Sequence, residues 1–389
     1  MRPAALLLLC LIGLAAAELY HARVRTPRSS QVESDGIQSS GQLLLINATS
    51  AAAVREMLTR ARDVTDAQVF VDVVRPVRVY ANPGSWGQDR VDQRTVALND
   101  DYAPLYTGAG VTAWVVDTGI ETTHADFQSR AQLAFNAYTP ATDCHGHGTH
   151  VASTLGGVQY GIAKGVQLRS VKVLDCFGYG TTYTVAQGLQ WILDHLTGRD
   201  VINLSLGYGA RDVVIESLLA DLAEAGVVAV AAAGNADTNA CNHFPSAHES
   251  VISVGATTAS DVRASYSNFG SCVDLMAPGS GIRAARLGGG STTMSGTSMA
   301  TPHVAGAAAL LLSLQNNTGA SVRAALTSVA TVNALSGLEG SPNRLVWVHG
   351  NSTQQPPISG SAAAAAKPNH WISTAAVAVI IVLSSITVN

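Results

Sequence analysis

Three residue types that together could carry out acyl transfer occur in this sequence in the order aspartate, histidine, serine. Asp117 closes the apolar run Val111–Val116, His147 stands between two glycines, and Ser298 precedes the apolar stretch Val304–Leu314. A serine hydroxyl is a poor nucleophile at neutral pH, so it needs a base, and the base needs a carboxylate that orients it. Each residue alone has an ordinary interpretation, such as a turn aspartate or a serine that caps a helix. Together they predict nucleophilic catalysis.

Metal binding is the competing interpretation of the segment that contains His145, His147 and His150. No acidic or cysteine ligand set accompanies these histidines in the sequence, and the HExxH motif of zinc proteases is absent. Glycines beside His147 let the backbone approach closely, and an imidazole at a helix start is well placed for proton transfer. We therefore favour a general base at His147, and we predict that His150 and His303 are packing histidines.

The elements that must position these residues alternate between apolar runs and amphipathic helical patterns. The helical patterns cover Thr184–His195 and Asp212–Ala225. The apolar runs are Val111–Val116, Val166–Leu174, Val201–Leu206, Val227–Ala233 and Val251–Val254. Near-continuous apolar strands that alternate with helices indicate a parallel sheet covered on both faces, and sites in such sheets collect at the carboxyl ends of strands. We predict an α/β domain with a central parallel sheet over residues 80–349.

Three longer motifs enclose the candidate residues, at Val115–Ile120, Gly146–Ala152 and Gly296–Gly306. They resemble the motifs of subtilisin-like serine proteases, and more narrowly those of the proteinase K and aqualysin branch. The likeness extends from about Ser85 to Thr331. The order aspartate, histidine, serine is also that of subtilisin, whereas chymotrypsin and the α/β-hydrolases use other orders. The resemblance implies the three-layer αβα subtilisin-like fold.

The resemblance gives each candidate residue a role and adds a fourth residue. Ser298 would be the nucleophile, His147 the base and Asp117 the carboxylate that orients the base. Asn235 follows the strand-end motif Val230–Gly234 and would stabilise the oxyanion of the acyl-transfer intermediate. Loss of one such donor costs about 3–4 kcal/mol in the transition state.

The resemblance also implies how a substrate binds. Two glycine-containing backbone segments would sandwich an extended peptide, which pairs with both of them as an added strand. Such main-chain pairing depends little on the sequence of the peptide. A small, uncharged wall of the first specificity pocket would favour apolar or aromatic side chains. The residues concerned are Gly178, Gly180, Ser205, Leu206 and Gly207 in the two segments, and Ala232 and Gly234 in the pocket wall. Tyr208 stands where the branch usually has glycine, so we expect narrower distal subsites.

Four cysteines remain when Cys10 of the amino-terminal signal is set aside. An even number in a secreted chain favours two disulfides, and four cysteines allow three pairings. The resemblance implies the pairs Cys144–Cys176 and Cys241–Cys272.

A structural calcium site is a further implication of the resemblance, although the chemistry itself needs no cofactor. Asp274 would provide a carboxylate, and Glu249 and Val251 would provide backbone carbonyls. Oxygen ligands of this kind suit calcium. The alternative is that Asp274 is an ordinary surface aspartate.

Both ends of the sequence are typical of sorting signals. Residues 1–17 combine a basic start, the apolar run Ala4–Leu14 and three alanines, which predicts a secretory signal. Residues 350–370 are rich in serine, proline and alanine and are predicted to form a stalk. Residues 371–389 are apolar, and we expect a glycosylphosphatidylinositol signal or a single transmembrane helix. Asn316 and Asn351 belong to sequons that we predict to be exposed and glycosylated.

The segment 18–79 differs in character from the rest and is predicted to be a small α+β inhibitory propeptide, removed at a position between 76 and 82. Its predicted elements are a strand at Gln42–Asn47, a helix at Ala51–Arg62 and a strand at Ala67–Val74. These elements make one β-α-β half where the resemblance implies two, so the propeptide is short.

These observations together predict a secreted, membrane-tethered, monomeric serine endopeptidase made as a self-processing zymogen that acts on protein and peptide substrates. The alternative is a catalytically silent surface-binding ectodomain on the same fold, and a freely secreted enzyme is a third reading. The formal net charge is −4, which argues against nucleic-acid binding.

Overall fold

The computed structural model describes residues 86–98, 102, 104–314 and 319–348, together with the backbone of four strands between residues 18 and 79. The predicted signal at 1–17, the stalk and tail at 350–389, the helix predicted at Ala51–Arg62, and the sequons at Asn316 and Asn351 lie outside the described residues. Within the described part of the chain, no helix is long and apolar enough to cross a lipid bilayer.

The secondary structure is numbered here in chain order. The strands are β1 (Glu18–Arg25), β2 (Gly41–Ala48), β3 (Gln68–Val73), β4 (Pro76–Val79), β5 (Thr112–Asp117), β6 (Ala131–Asn136), β7 (Gln167–Lys172), β8 (Tyr179–Thr181), β9 (Asp200–Leu204), β10 (Leu206–Gly207), β11 (Val228–Ala232), β12 (Val251–Thr257), β13 (Leu275–Pro278), β14 (Ile282–Ala285), β15 (Ser291–Met294), β16 (Thr331–Val332) and β17 (Arg344–Leu345). The helices are α1 (Gly87–Val91), α2 (His147–Gly156), α3 (Thr182–Asp194), α4 (Val213–Glu224), α5 (Thr297–Leu312) and α6 (Gly319–Val329).

A central sheet carries the fold, with the strand order β16-β17-β13-β12-β11-β9-β5-β7-β6. Neighbouring strands from β17 to β6 run parallel, and β16 pairs antiparallel with β17. The predicted parallel sheet is thus confirmed, and each predicted apolar run overlaps one strand of this sheet. The edge strand β6 was not predicted because most of its residues are exposed or half-buried, so it lacks the apolar run that marks a central strand.

Alternate side chains of the buried strands enter two separate cores, one on each face of the sheet. On β5, Ala113 and Val115 pack with residues of α2, α5 and α6. Trp114 and Val116 point to the opposite face and pack with residues of α3 and α4. Burial of each large aliphatic side chain contributes about 1.5–3 kcal/mol, which explains why both faces of this sheet need helices.

The amino-terminal segment forms a separate antiparallel sheet with the strand order β2-β1-β3. The predicted strands at Gln42–Asn47 and Ala67–Val74 correspond to β2 and β3, whereas β1 was missed. In β1, Tyr20, Ala22 and Val24 alternate with polar residues, but the strand directly follows the alanines of the predicted signal and is hard to separate from them. This small sheet packs against α3 and α4.

Candidate active site

The candidate residues lie at the carboxyl ends of three neighbouring strands at the centre of the sheet. The strands β11, β9 and β5 are adjacent and parallel, so their carboxyl ends lie side by side. Asp117 ends β5, Ser205 follows β9, and Asn235 follows β11. Helix α5 packs on the same strands and carries Ser298 in its first turn. The sheet order therefore brings together residues that are far apart in the sequence.

His147 and Asp117 form a direct hydrogen bond. The His147 Nδ1 atom lies 2.8 Å from Asp117 Oδ1, and both side chains are fully buried. Asp117 Oδ1 also accepts the backbone N–H of Thr118 at 2.7 Å. Helix α2 starts at His147 and packs closely against the segment that follows β5. This approach requires glycine at position 148, because a Cβ atom there would lie 2.1 Å from the Gly119 carbonyl oxygen. A carboxylate at Nδ1 fixes the imidazole tautomer and leaves Nε2 as the basic atom.

Ser298 forms two hydrogen bonds with Ser205, the residue that follows β9. The Ser298 hydroxyl donates to the Ser205 carbonyl at 3.2 Å, and the Ser205 hydroxyl donates to the Ser298 carbonyl at 2.8 Å. Asn203 Nδ2 donates to the same Ser205 hydroxyl oxygen at 2.9 Å. The first turn of α5 is therefore fixed against the strand that precedes the predicted substrate-binding segment.

The amide of Asn235 has a defined orientation. Its Oδ1 atom accepts the backbone N–H of Thr297 at 2.8 Å and the Thr297 hydroxyl at 2.8 Å. A backbone N–H can only donate, so Oδ1 must face Thr297 and the Nδ2 hydrogens face away from it. Asn235 is half-buried, and its orientation is fixed by Thr297, the residue that precedes Ser298.

Strand β4 lies between the two predicted substrate-binding segments. Val77 pairs with Gly180 of β8, while Arg78 and Val79 pair with Gly207 and Leu206 of β10, all antiparallel. Glycine is required at position 180 because a Cβ there would lie 2.5 Å from the Val173 carbonyl oxygen. The two segments therefore bind an extended backbone from both sides.

The family model for subtilases, Peptidase_S8, matches residues 108–347. The chain belongs to the subtilase family. It is 46% identical over 287 residues to the extracellular serine proteinase of Thermus sp. strain Rt41A, covering 72% of this chain and 70% of that protein. It is 44% identical over 266 residues to alkaline serine exoprotease A of Vibrio alginolyticus, covering 67% of this chain and 50% of that protein, so it spans half the length of this relative.

A solved structure gives the same result for the fold of this subtilase. The crystal structure of a cold-adapted subtilisin-like serine proteinase is 44% identical, with a TM-score of 0.66, and the match covers 69% of this chain and 99% of that one. The predicted subtilisin-like fold is confirmed, and the protein is a subtilisin-like serine protease.

Asp143 is a buried residue of this subtilase that sequence reasoning missed. Its carboxylate accepts the backbone N–H groups of His145, Gly146 and Thr149 and the hydroxyl groups of Thr118 and Thr149, at 2.6–3.0 Å. It thereby sets the loop that leads into His147. An aspartate shortly before a helix start is a capping signal, and that signal could have identified it.

Lys172 was also missed, although it is fully buried beside the site. Its Nζ atom donates to the carbonyl oxygens of Thr118 at 2.5 Å and Leu174 at 2.9 Å, which ties the end of β5 to the end of β7. Burial lowers the pKa of Lys172, and the nearby carboxylates of Asp143 and Asp117 oppose that shift.

Both disulfides have the pairing that the resemblance implies. Cys144 is bonded to Cys176 and Cys241 to Cys272. The first bond joins the loop before His147 to the segment that leads into β8. The loop before His147 and the predicted substrate-binding segment are therefore covalently connected.

The predicted pocket wall and distal subsite are built from tightly packed residues. Ala232 is buried, and Gly234 has φ 101°, with space for a Cβ blocked by Asn268 Nδ2 at 2.3 Å. Gly178 also has a positive φ of 78°. Tyr208 stacks on Phe244 with ring centroids 6.4 Å apart.

Two of the three predicted calcium ligands contact Arg323. Its guanidinium donates to the Glu249 carbonyl and to Asp274 Oδ1, the latter at 3.2 Å. Val251 begins β12 beside them.

His150 and His303 are buried, in keeping with their prediction as packing histidines. Burial lowers the pKa of His150 to about 3, with a further contribution from His147, and burial lowers the pKa of His303 to about 4. His150 Nε2 lies 3.0 Å from the Ile282 carbonyl and His303 Nδ1 lies 2.8 Å from the Met299 carbonyl. Both rings are therefore neutral at pH 7. Burial and the neighbouring His147 also lower the pKa of His145.

Proposed function

We propose that this subtilase is an endopeptidase that hydrolyses peptide bonds through an acyl-enzyme on Ser298. The observation that carries the proposal is the 2.8 Å hydrogen bond between His147 and Asp117, at the sheet edge where Ser298 and Asn235 also lie. The Asp117 carboxylate keeps one imidazole proton on Nδ1, so Nε2 can accept the proton of the Ser298 hydroxyl. That hydroxyl first turns away from the Ser205 carbonyl.

The bond changes follow from these positions. Ser298 Oγ bonds to the substrate carbonyl carbon, and the carbonyl π electrons move to its oxygen. The Asn235 amide and the Ser298 backbone N–H then donate to this oxyanion. The C–N bond breaks with its electron pair going to nitrogen, and His147 protonates the leaving amine. Water repeats the sequence on the acyl-enzyme and releases the acid.

Broad specificity for protein and peptide substrates is part of the proposal. Backbone pairing of β4 with β8 and β10 supports it, because main-chain hydrogen bonds do not depend on side-chain identity. Ala232 and Gly234 provide small pocket walls, which favour apolar or aromatic residues before the scissile bond.

We also propose that residues 18–79 form an inhibitory propeptide that the enzyme removes from itself. The position of β4 between β8 and β10 supports this role. Val79 pairs with Leu206, which directly follows the Ser205 that binds Ser298, so the chain should pass the nucleophile just after Val79. Amino-terminal sequencing of the mature protein is expected to begin at Tyr80 or Ala81.

Secretion, attachment to a membrane and a monomeric state complete the proposal. Support comes from the sequence patterns at 1–17 and 371–389 and from the name of the Thermus relative, an extracellular proteinase. Asn316 and Asn351 are the proposed glycosylation sites. Treatment of expressing cells with phosphatidylinositol-specific phospholipase C tests the anchor: released activity means a lipid, and retained activity means a spanning helix.

The catalytic proposal is tested by expressing the precursor beside its Ser298→Ala and Asn235→Asp variants through a secretory pathway. Size change and labelling by a serine-reactive phosphonate are measured. We expect maturation and labelling of the wild type and neither for Ser298→Ala. Asn235→Asp keeps the acceptor for Thr297 but loses the amide donors, so kcat should fall about 10²–10³-fold with an unchanged melting temperature. A folded wild type that neither labels nor cleaves casein would favour the silent ectodomain.

A further inference from the structure

Arg323 joins three elements near the amino ends of β12 and β13. It lies on α6, and its guanidinium reaches the loop that precedes β12 and the residue that precedes β13. One nitrogen donates to the Glu249 carbonyl, and the other donates to Asp274 Oδ1 at 3.2 Å. The second carboxylate oxygen of Asp274 accepts the backbone N–H of Ser253 at 2.8 Å. Both oxygens of Asp274 therefore already have donors.

The side chains in this cluster are mostly shielded from water. The Arg323 side chain is 26% exposed and that of Asp274 is 20% exposed. Glu249 is exposed and contacts Arg323 through its backbone carbonyl. A partly shielded carboxylate needs a positive partner, and Arg323 provides it.

Two of the three groups that the resemblance assigns to calcium, the Glu249 carbonyl and the Asp274 carboxylate, are thus groups that Arg323 contacts. Calcium requires six to eight oxygen ligands at about 2.3–2.6 Å. A guanidinium instead presents N–H donors in a fixed plane and carries a single positive charge that is not lost at any physiological pH. Among the residues described, no cluster of three or more acidic, histidine or cysteine side chains is present that would hold a metal ion.

Charge makes the two cations mutually exclusive. Asp274 contributes one negative charge, and Arg323 already neutralises it. A calcium ion added beside Arg323 would place three positive charges against that single carboxylate, and like charges at this distance repel strongly in a shielded site.

We propose that Arg323 takes the place of the structural calcium at this site, so that the protein needs no calcium there to hold α6, β12 and β13 together. The inference rests on Arg323 and its contacts and does not depend on the catalytic proposal. It makes the stability of this region independent of extracellular calcium.

The test uses the full chain carrying Ser298→Ala, which prevents self-digestion, and measures thermal unfolding after chelation and in about 10 mM calcium chloride, well above the dissociation constants of extracellular calcium sites. In this background we expect calcium to raise the midpoint of thermal unfolding by the same amount with and without Asp274→Asn. Adding Arg323→Ala should lower the midpoint by about 2–4 °C in chelator. Calcium, but not magnesium, should restore part of that loss, and Asp274→Asn should abolish the restoration.

Arg263→Ala is the matched control, because Arg263 also donates to a carboxylate, that of Asp237, and to the carbonyls of Gly337 and Ser267. It should lose stability without gaining a calcium response. Arg323→Lys, which keeps the charge, provides a milder variant if Arg323→Ala does not fold, and it should stay insensitive to calcium. A calcium-dependent rise in the background protein that Asp274→Asn removes would overturn the proposal. So would an Arg323→Ala variant with an unchanged midpoint.

Discussion

Asp143 organises the histidine loop although it is not one of the reacting groups. We expect Asp143→Asn to lower kcat on a peptide substrate about 10–100-fold with little change in KM. An amide cannot accept all the N–H and O–H groups that the carboxylate binds, so His147 would be displaced from its working position. Asp237→Asn changes an exposed aspartate at positive φ and should leave both constants unchanged. Equal kcat values for the two variants would refute a positioning role.

His303 should make the protein less stable in mild acid. Its folded pKa of about 4 lies below the unfolded value of about 6.5, so the unfolded state binds more protons between these values. The contribution of the neutral His303 ring to the free energy of unfolding is fully present above about pH 6.5. It is lost as the pH falls towards 4, with a slope of up to about 1.4 kcal/mol per pH unit.

Urea unfolding of the Ser298→Ala protein between about pH 7 and pH 4 measures this slope. His303→Asn keeps a donor for the Met299 carbonyl but does not titrate, so its slope should be smaller. His195→Asn, at an exposed histidine, should retain the wild-type slope. A His303→Asn slope equal to that of the wild type would show that this buried ring does not drive the acid sensitivity.

Single residues divide sharply into those that the sequence predicts and those that it does not. Asp117, His147 and Ser298 sit in long motifs, and Asn235 follows a strand-end motif, so their positions could be predicted. Lys172 could not, because its importance comes from the backbone carbonyls of Thr118 and Leu174, which only the fold brings to it. Asp143 has the local signal of an aspartate shortly before a helix start, but its contact with the Thr118 hydroxyl depends on the fold.

The two disulfides act on different elements although their loops are nearly equal. Their sequence separations are 32 and 31 residues, so the chain-entropy model gives each about 3–4 kcal/mol. We expect Cys144→Ser/Cys176→Ser and Cys241→Ser/Cys272→Ser to lower the free energy of unfolding by similar amounts. Only the first pair joins the His147 loop to β8, so only its removal should raise KM for extended peptides. Kinetics on a peptide series would show this, and matching KM changes in both variants would argue against it.

The strands that could be predicted best are the buried ones, because burial leaves an apolar pattern in the local sequence. Strands β5, β7, β9, β11 and β12 appear as apolar runs, since a parallel strand covered on both faces needs apolar side chains throughout. The edge strand β6 and the short strands β4 and β8 have no such pattern. The pairing of β4 with β8 and β10 joins distant parts of the chain and leaves no local signal in the sequence.

At the scale of the whole molecule, a buried ion pair fastens α1 to a loop 171 residues further along the chain. Arg90 is fully buried and donates to both carboxylate oxygens of Asp261, at 2.9 and 2.7 Å. Arg90→Ala leaves the Asp261 carboxylate without this partner, so we expect a loss of about 3–5 kcal/mol in urea unfolding of the Ser298→Ala protein.

Arg211 gives a control with the same bidentate geometry, since it donates to both oxygens of Glu216 at 2.8 and 2.7 Å. Its side chain is 61% exposed, so Arg211→Ala should cost no more than about 1 kcal/mol. Equal losses in the two variants would mean that burial does not set the contribution of the Arg90 pair.

The presence of β4 between β8 and β10 has a consequence for when the protein acts. In the proposed zymogen β4 belongs to the same chain, so it would compete with substrate at an effective concentration of about millimolar, whatever the amount of protein present. After the proposed cleavage the strand and the enzyme are separate molecules, and occupancy of the cleft depends on how concentrated they are. Inhibition then persists where the protein is packed together and lifts on dilution, so the activity of the subtilase becomes a function of its own concentration.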